Sequence, residues 1–124
     1  MAIHFDKVLA LNSHALQLRA ERTKVLASNL ANESTPGYQA RDFDFAASLR
    51  QALGEEMLAG APLSELGGAA PDLLYRVPNH RSQDGNTVEL GVEQAAFAQN
   101  AADFQVALTF TQMKLRGLAK AIEG

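Results

Sequence analysis

The chain has 124 residues, a net charge of −3 and no cysteine. That length allows at most one ordinary domain, and the composition excludes a disulfide framework, a thiolate metal site and the clustered basic face of a nucleic-acid binder. Aromatic content is low, Trp is absent and all six Phe lie in the outer parts of the chain, so the middle has little apolar surface for a core of its own.

Residues 6–33 predict a helix, with Asp6 as its N-cap. Apolar residues recur at Val8, Leu11, Ala15, Leu18 and Val25, and a flanking row adds Leu9, Leu16, Leu26 and Leu30. The stripe is about 40 Å long at roughly 1.5 Å per residue. Ser34-Thr35-Pro36-Gly37-Tyr38 ends it, with the chemistry of a type II turn: Pro36 at the second position and Gly37 at the third. From Asp44 to about Met57 a short amphipathic helix is expected, carrying Phe45, Leu49, Leu53 and Met57 at intervals of four. Pro62, Gly67-Gly68, Pro71, Pro78 and Asp84-Gly85 mark the next stretch as loop, with a short extended piece around Leu73–Val77.

Residues 87–122 predict the second long helix, capped by Asn86 with Glu89 three residues on, as in a capping box. Its apolar row is Phe97, Ala101, Phe104, Leu108, Thr111, Leu115, Leu118 and Ile122, spaced by four and three as a heptad seam. A hairpin of two such helices covers only part of two wide stripes. Two architectures fit: a small bundle closed by the 44–57 helix, and a subunit whose remaining apolar surface meets other chains.

No catalytic constellation stands out. His4, His14 and His80 read as lone surface residues, because the spacing of the first two puts them on different helix faces. Asp42 and Asp44 have no His, Lys or Ser at a working distance in sequence and read as a solvated strand or turn edge. Gly67-Gly68 lacks the Lys-Ser/Thr of a phosphate loop. The start lacks the pattern of a cleaved secretory signal, and no apolar run approaches the roughly 20 residues of a membrane span. A cytoplasmic chain and one exported without a cleaved signal both fit.

The unusual passage is Leu26 to Tyr38. Asn29 and Asn32 continue the first helix's seam, where a buried amide weakens packing but fixes register. The bland alternative is a helix end turning polar before its turn. The run Arg22-x-x-Val25-Leu26-Ala27-x-Asn29-Leu30-Ala31-Asn32-x-x-Thr35-Pro36-Gly37-Tyr38 resembles the N-terminal signature of the flagellar axial proteins, the rod, hook and hook-associated subunits. Gln39-Ala40-Arg41-Asp42-Phe43-Asp44-Phe45, Asp84-Gly85-Asn86-Thr87-Val88-Glu89-Leu90, Asn100 and Leu118-x-x-Ala121-Ile122 are similar to the proximal rod subunits of that family. Phe104 departs from it, where Tyr is usual.

The resemblance implies a mainly α fold. Two long terminal helices would form an antiparallel coiled-coil-like pair, around a loop-rich middle with a short helix and little β. The corresponding division is 1–35, 36–86 and 87–124. It further implies a structural rod subunit of the drive shaft between the MS ring and the distal rod, exported by the flagellar type III apparatus and needing no cofactor. Its partners would be copies of itself, other rod subunits, MS-ring/rod junction proteins and the export apparatus, with no nucleic acid, no small-molecule substrate and no membrane span. The expected interface comprises Leu18, Val25, Asn29, Asn32, Pro36, Gly37 and Tyr38, with Phe97, Phe104, Leu108, Leu115, Leu118 and Ile122 on the second helix. A helical binding module, such as an export chaperone or adaptor, is the competing reading.

Overall fold

A computed structural model describes residues 5–59 and 71–124. His4, the loop punctuation at Pro62 and Gly67-Gly68, and the Met57 side chain lie outside what it describes. The elements are α1 (Phe5–Ala31), β1 (Arg41–Asp42), α2 (Phe45–Ala59), β2 (Leu74–Tyr75) and α3 (Leu90–Glu123). The fold is mainly α, with the long terminal helices packed together and little strand.

α1 already contains Phe5 and Asp6, so Asp6 does not precede the helix as its cap. Asp44 caps α2, where its Oδ1 accepts the Ala47 N–H at 3.1 Å. The expected cap of α3 is absent. Its N-cap is Glu89, in extended conformation and without a side-chain cap bond. The Glu89 carboxylate accepts from the Asn79 backbone and side chain instead.

α1 and α3 run antiparallel. Asn29 touches Glu93, and ten residues back Arg19 pairs with Asp103. Continued at that register, Phe5 falls opposite about residue 117, and the last turn and a half of α3 lies beyond it. α2 packs on α1 and makes no packing contact with α3 among the described residues. Among the described residues α1 is thus the middle layer, and α2 does not close the bundle against α3. Arg41↔Tyr75 and Asp42↔Leu74 pair as a two-stranded antiparallel ribbon beside the C-terminal end of α1.

The buried row of α1 is Ala10, His14, Leu18, Leu26 and Asn29. Val8 and Leu11 of the expected seam are 40% and 39% exposed. His14, expected at the surface, is buried. Leu26 is wholly buried, and its burial contributes about 2 kcal/mol. α3 differs from α1: its only buried side chains are Glu93 and Asn100.

Candidate assembly interface

The turn after α1 forms as its residues dictate. Gly37 has φ +74° and the Tyr38 N–H donates to the Thr35 carbonyl at 3.2 Å, the geometry of a type II turn. The turn sends Tyr38 back along α1, where its hydroxyl donates to Asn29 Oδ1 at 3.2 Å. Asn29 is fully buried and its amide is saturated. Nδ2 donates to the Arg41 carbonyl at 2.7 Å and to Glu93 Oε2 at 3.0 Å; Oδ1 also accepts the Arg41 N–H at 3.1 Å.

Asn32 behaves differently from Asn29. Its amide donates to the Ser28 carbonyl one turn back and its oxygen accepts from Thr35, so it closes its own helix end and does not reach α3. The turn that follows this helix end is held from a distance in sequence. Asn86 Nδ2 lies within 2.8–2.9 Å of the Asn32, Glu33 and Thr35 carbonyls. Asn86 therefore braces the turn that follows α1, where the capping-box reading placed it at the start of α3. Asp84 holds it there by accepting the Asn86 N–H at 3.0 Å and the Ser82 hydroxyl at 2.6 Å. Those two bonds, the hydroxyl first, lower the Asp84 pKa below the usual carboxylate value.

Next to this turn lies a four-membered ionic cluster. Arg22 forks onto Asp42 at 3.1 and 2.9 Å, which raises the Arg22 pKa. Arg76 bridges the two acids, with Nη2 at 2.8 Å from Asp42 Oδ2 and Nε at 3.0 Å from Glu93 Oε1. Glu93 is 0% exposed. Asp42 is thus the hub of an ion network, not the solvated edge expected of it. Further along the pair, Asn100 Nδ2 donates to the Arg19 carbonyl and to Thr23 Oγ1, both at 2.9 Å. Arg19 also lies 3.7 Å over the Phe45 ring, which ties α2 to the same layer.

The covered stripe of α3 runs through Glu93, Phe97, Asn100, Phe104, Leu108 and Thr111, so Asn100 takes the inward place expected of Ala101, which is exposed. Phe97, Phe104, Leu108 and Leu118 are half-buried, as is Val25 on α1, and Leu18 is buried. Pro36 and Gly37 are exposed at the turn. Leu115 and Ile122 are 48% and 86% exposed.

A second apolar ridge sits roughly opposite, at Val92, Val106, Phe110 and Met113, interleaved with Ala95, Ala102 and Gly117; from Ala102 onward the spacings are three and four. Phe110 is 57% and Met113 60% exposed. Beside the α1–α3 seam lies an open groove of about 380 Å³ lined by Ala20, Thr23, Ala101, Phe104 and Gln105. Among the described residues no group of His, Cys, Asp and Glu could hold a metal ion, and no helix is long and apolar enough to cross a membrane.

The family model described as "Flagella basal body rod protein" matches residues 11–39, from the first third of α1 through the turn. The flagellar basal body rod protein FlgB of Salmonella typhimurium is 40% identical over 136 residues, covering 100% of this chain and 99% of the relative. This chain belongs to the FlgB family of flagellar basal body rod proteins. Its FlgB relative from Aeromonas hydrophila is 40% identical over 130 residues, covering 100% of this chain and 98% of its own. The Escherichia coli K12 FlgB is 36% identical over 130 residues, covering 95% and 94%. These relatives are named as rod proteins, and the export chaperone or adaptor reading finds no support in them.

The residues that sequence reasoning missed are Arg22, Asp42, Arg76 and Glu93 as one connected set. Only the heptad interval between Glu93 and Asn100 signals it locally. The partners come from segments far apart in sequence.

Proposed function

We propose that this chain is a structural, non-catalytic subunit of the flagellar rod, placed in its proximal part, and that its terminal helices complete their packing against helices of neighbouring subunits. The observation that carries this reading is α3. Thirty-four residues of helix bury only two side chains, both polar, while Val106, Phe110 and Met113 face outward. A helix held on one side and apolar on the other is suited to a second partner. The expected interface residues divide between these tasks. Leu18, Asn29 and Tyr38 organise the subunit internally; Leu115, Leu118 and Ile122 lie toward the end of α3 that α1 leaves least covered.

The neighbours in this reading are copies of this chain, other rod subunits and proteins at the MS-ring junction. The chain reaches the periplasm through the flagellar type III export apparatus, and its lack of cysteine suits passage as an unfolded chain. Purified basal bodies from the source bacterium, examined by mass spectrometry, should contain this chain. A Phe110→Glu/Met113→Glu variant should keep the helicity of the free subunit yet fail to restore motility to a strain lacking the protein. Basal bodies without the chain, or full motility with the variant, would refute the reading.

A further inference from the structure

We infer that the β1–β2 ribbon sets the register of the α1–α3 pair, with Arg76 as the bridging cation. Hydrophobic shape alone specifies this register weakly. The covered stripes are made of Ala, Leu, Thr and Phe at heptad intervals, and no apolar side chain of α3 is fully buried. Sliding α3 by one heptad would exchange half-covered apolar residues for others of the same kind. The polar positions do not exchange.

In the observed register Glu93 meets Asn29 Nδ2 at 3.0 Å and Arg76 Nε at 3.0 Å. Asn100, seven residues on, gives its amide to the Arg19 carbonyl and Thr23 Oγ1. A one-heptad slide that brings Glu93 to the place of Asn100 would set a carboxylate against the Arg19 carbonyl, acceptor facing acceptor. The opposite slide takes Glu93 past Asn29. The first slide leaves a buried carboxylate without its counter-ion, the arrangement that proteins tolerate least, and the second separates Glu93 from both Asn29 and Arg76.

The ribbon supplies that counter-ion. Arg76 directly follows β2 and Asp42 ends β1; the Arg76 N–H donates to the Ala40 carbonyl at 2.9 Å, extending the ribbon where the guanidinium leaves it. Arg22 fixes Asp42 to α1 through two bonds, so Arg76 is held at a set point along α1 and Glu93 must come to it. The register is therefore carried by the middle of the chain and Asn29 together, with Asn32 taking no part. This inference concerns the single subunit and stands or falls independently of the rod assignment.

The chain has no native cysteine, so spin labels can be placed on Lys24→Cys and Lys114→Cys, both at exposed positions, without background. In the parent protein, pulsed electron resonance should give one narrow distance. In an Arg76→Met/Glu93→Leu background both charges are gone and Asn29 keeps its Arg41 carbonyl. That chain should remain helical but show a second distance displaced by about 10 Å, one heptad of axial rise. The displaced form should hold about one chain in ten or more. Arg76→Lys, which keeps the charge, should retain the single distance. A single parental distance in the double variant would overturn the inference. So would loss of its helical signal, because the cluster would then be needed for folding itself and not for register.

Discussion

Asn86 shows how much one amide can decide. Its two amide hydrogens are shared among three carbonyls in the turn after α1, and its oxygen accepts the Val88 N–H at 2.7 Å. Replacing it with Ala removes the donor that ties this turn to the start of α3 and should cost about 1–3 kcal/mol, although the Asn32 and Thr35 carbonyls keep the Thr35 and Tyr38 N–H groups. Asn86→Asp is nearly isosteric but turns the donor into an anion, facing three carbonyl oxygens at the negative end of a helix. Its urea midpoint should therefore fall at least as far as that of Asn86→Ala. An Asp variant as stable as the parent would show that the amide donates nothing of consequence there. Gly37 carries a second local constraint: at φ +74° a side chain would be strained, although nothing lies within 4 Å of where its Cβ would sit.

At the scale of elements, α1 and α3 are held in different ways. α1 lies between α2 and α3 and buries Ala10, Leu18 and Leu26 as well as polar groups. α3 is fastened at its N-terminal third by Glu93 and Asn100, while Phe110, Met113 and Ile122 remain open. Local stability should follow that gradient. Amide exchange on the free subunit should find the amides around 97–104 slowest in α3 and those from about 113 onward fastest. Uniform protection along α3 would mean that its apolar face needs no partner to be stable. Exposed pairs such as Lys24–Glu21, at 2.8 Å, add little to either helix.

At the scale of the whole molecule, the ridge at Val106–Met113 and the groove lined by Ala20 and Phe104 occupy different sides of α3. Surfaces of different shape on one subunit favour head-to-tail association, which grows open-ended unless its rotation closes a ring. Sedimentation of the isolated protein at rising concentration should show a continuous shift to larger species. A plateau at a closed dimer would point instead to one self-complementary face. The three-layer order α2–α1–α3 is what leaves both surfaces free; a closed bundle would have covered at least one.

Much of this protein was legible one element at a time. Spacings of three and four located both long helices, intervals of four located α2, and Thr35-Pro36-Gly37-Tyr38 specified a type II turn, because these signals act over a few residues. The signature around Asn29–Tyr38, with the Asp84–Leu90 segment, was enough to point to the axial proteins. The tertiary structure alone decided that Asn29 and not Asn32 faces inward, that Asn86 braces a turn more than fifty residues earlier, and that Arg76 joins Asp42 to Glu93. Periodicity ranks positions by hydrophobicity and therefore picked Ala101 over Asn100 and passed over Glu93. A buried charge is permitted only by its counter-ion, and here that counter-ion comes from a ribbon whose place beside α1 no local pattern records.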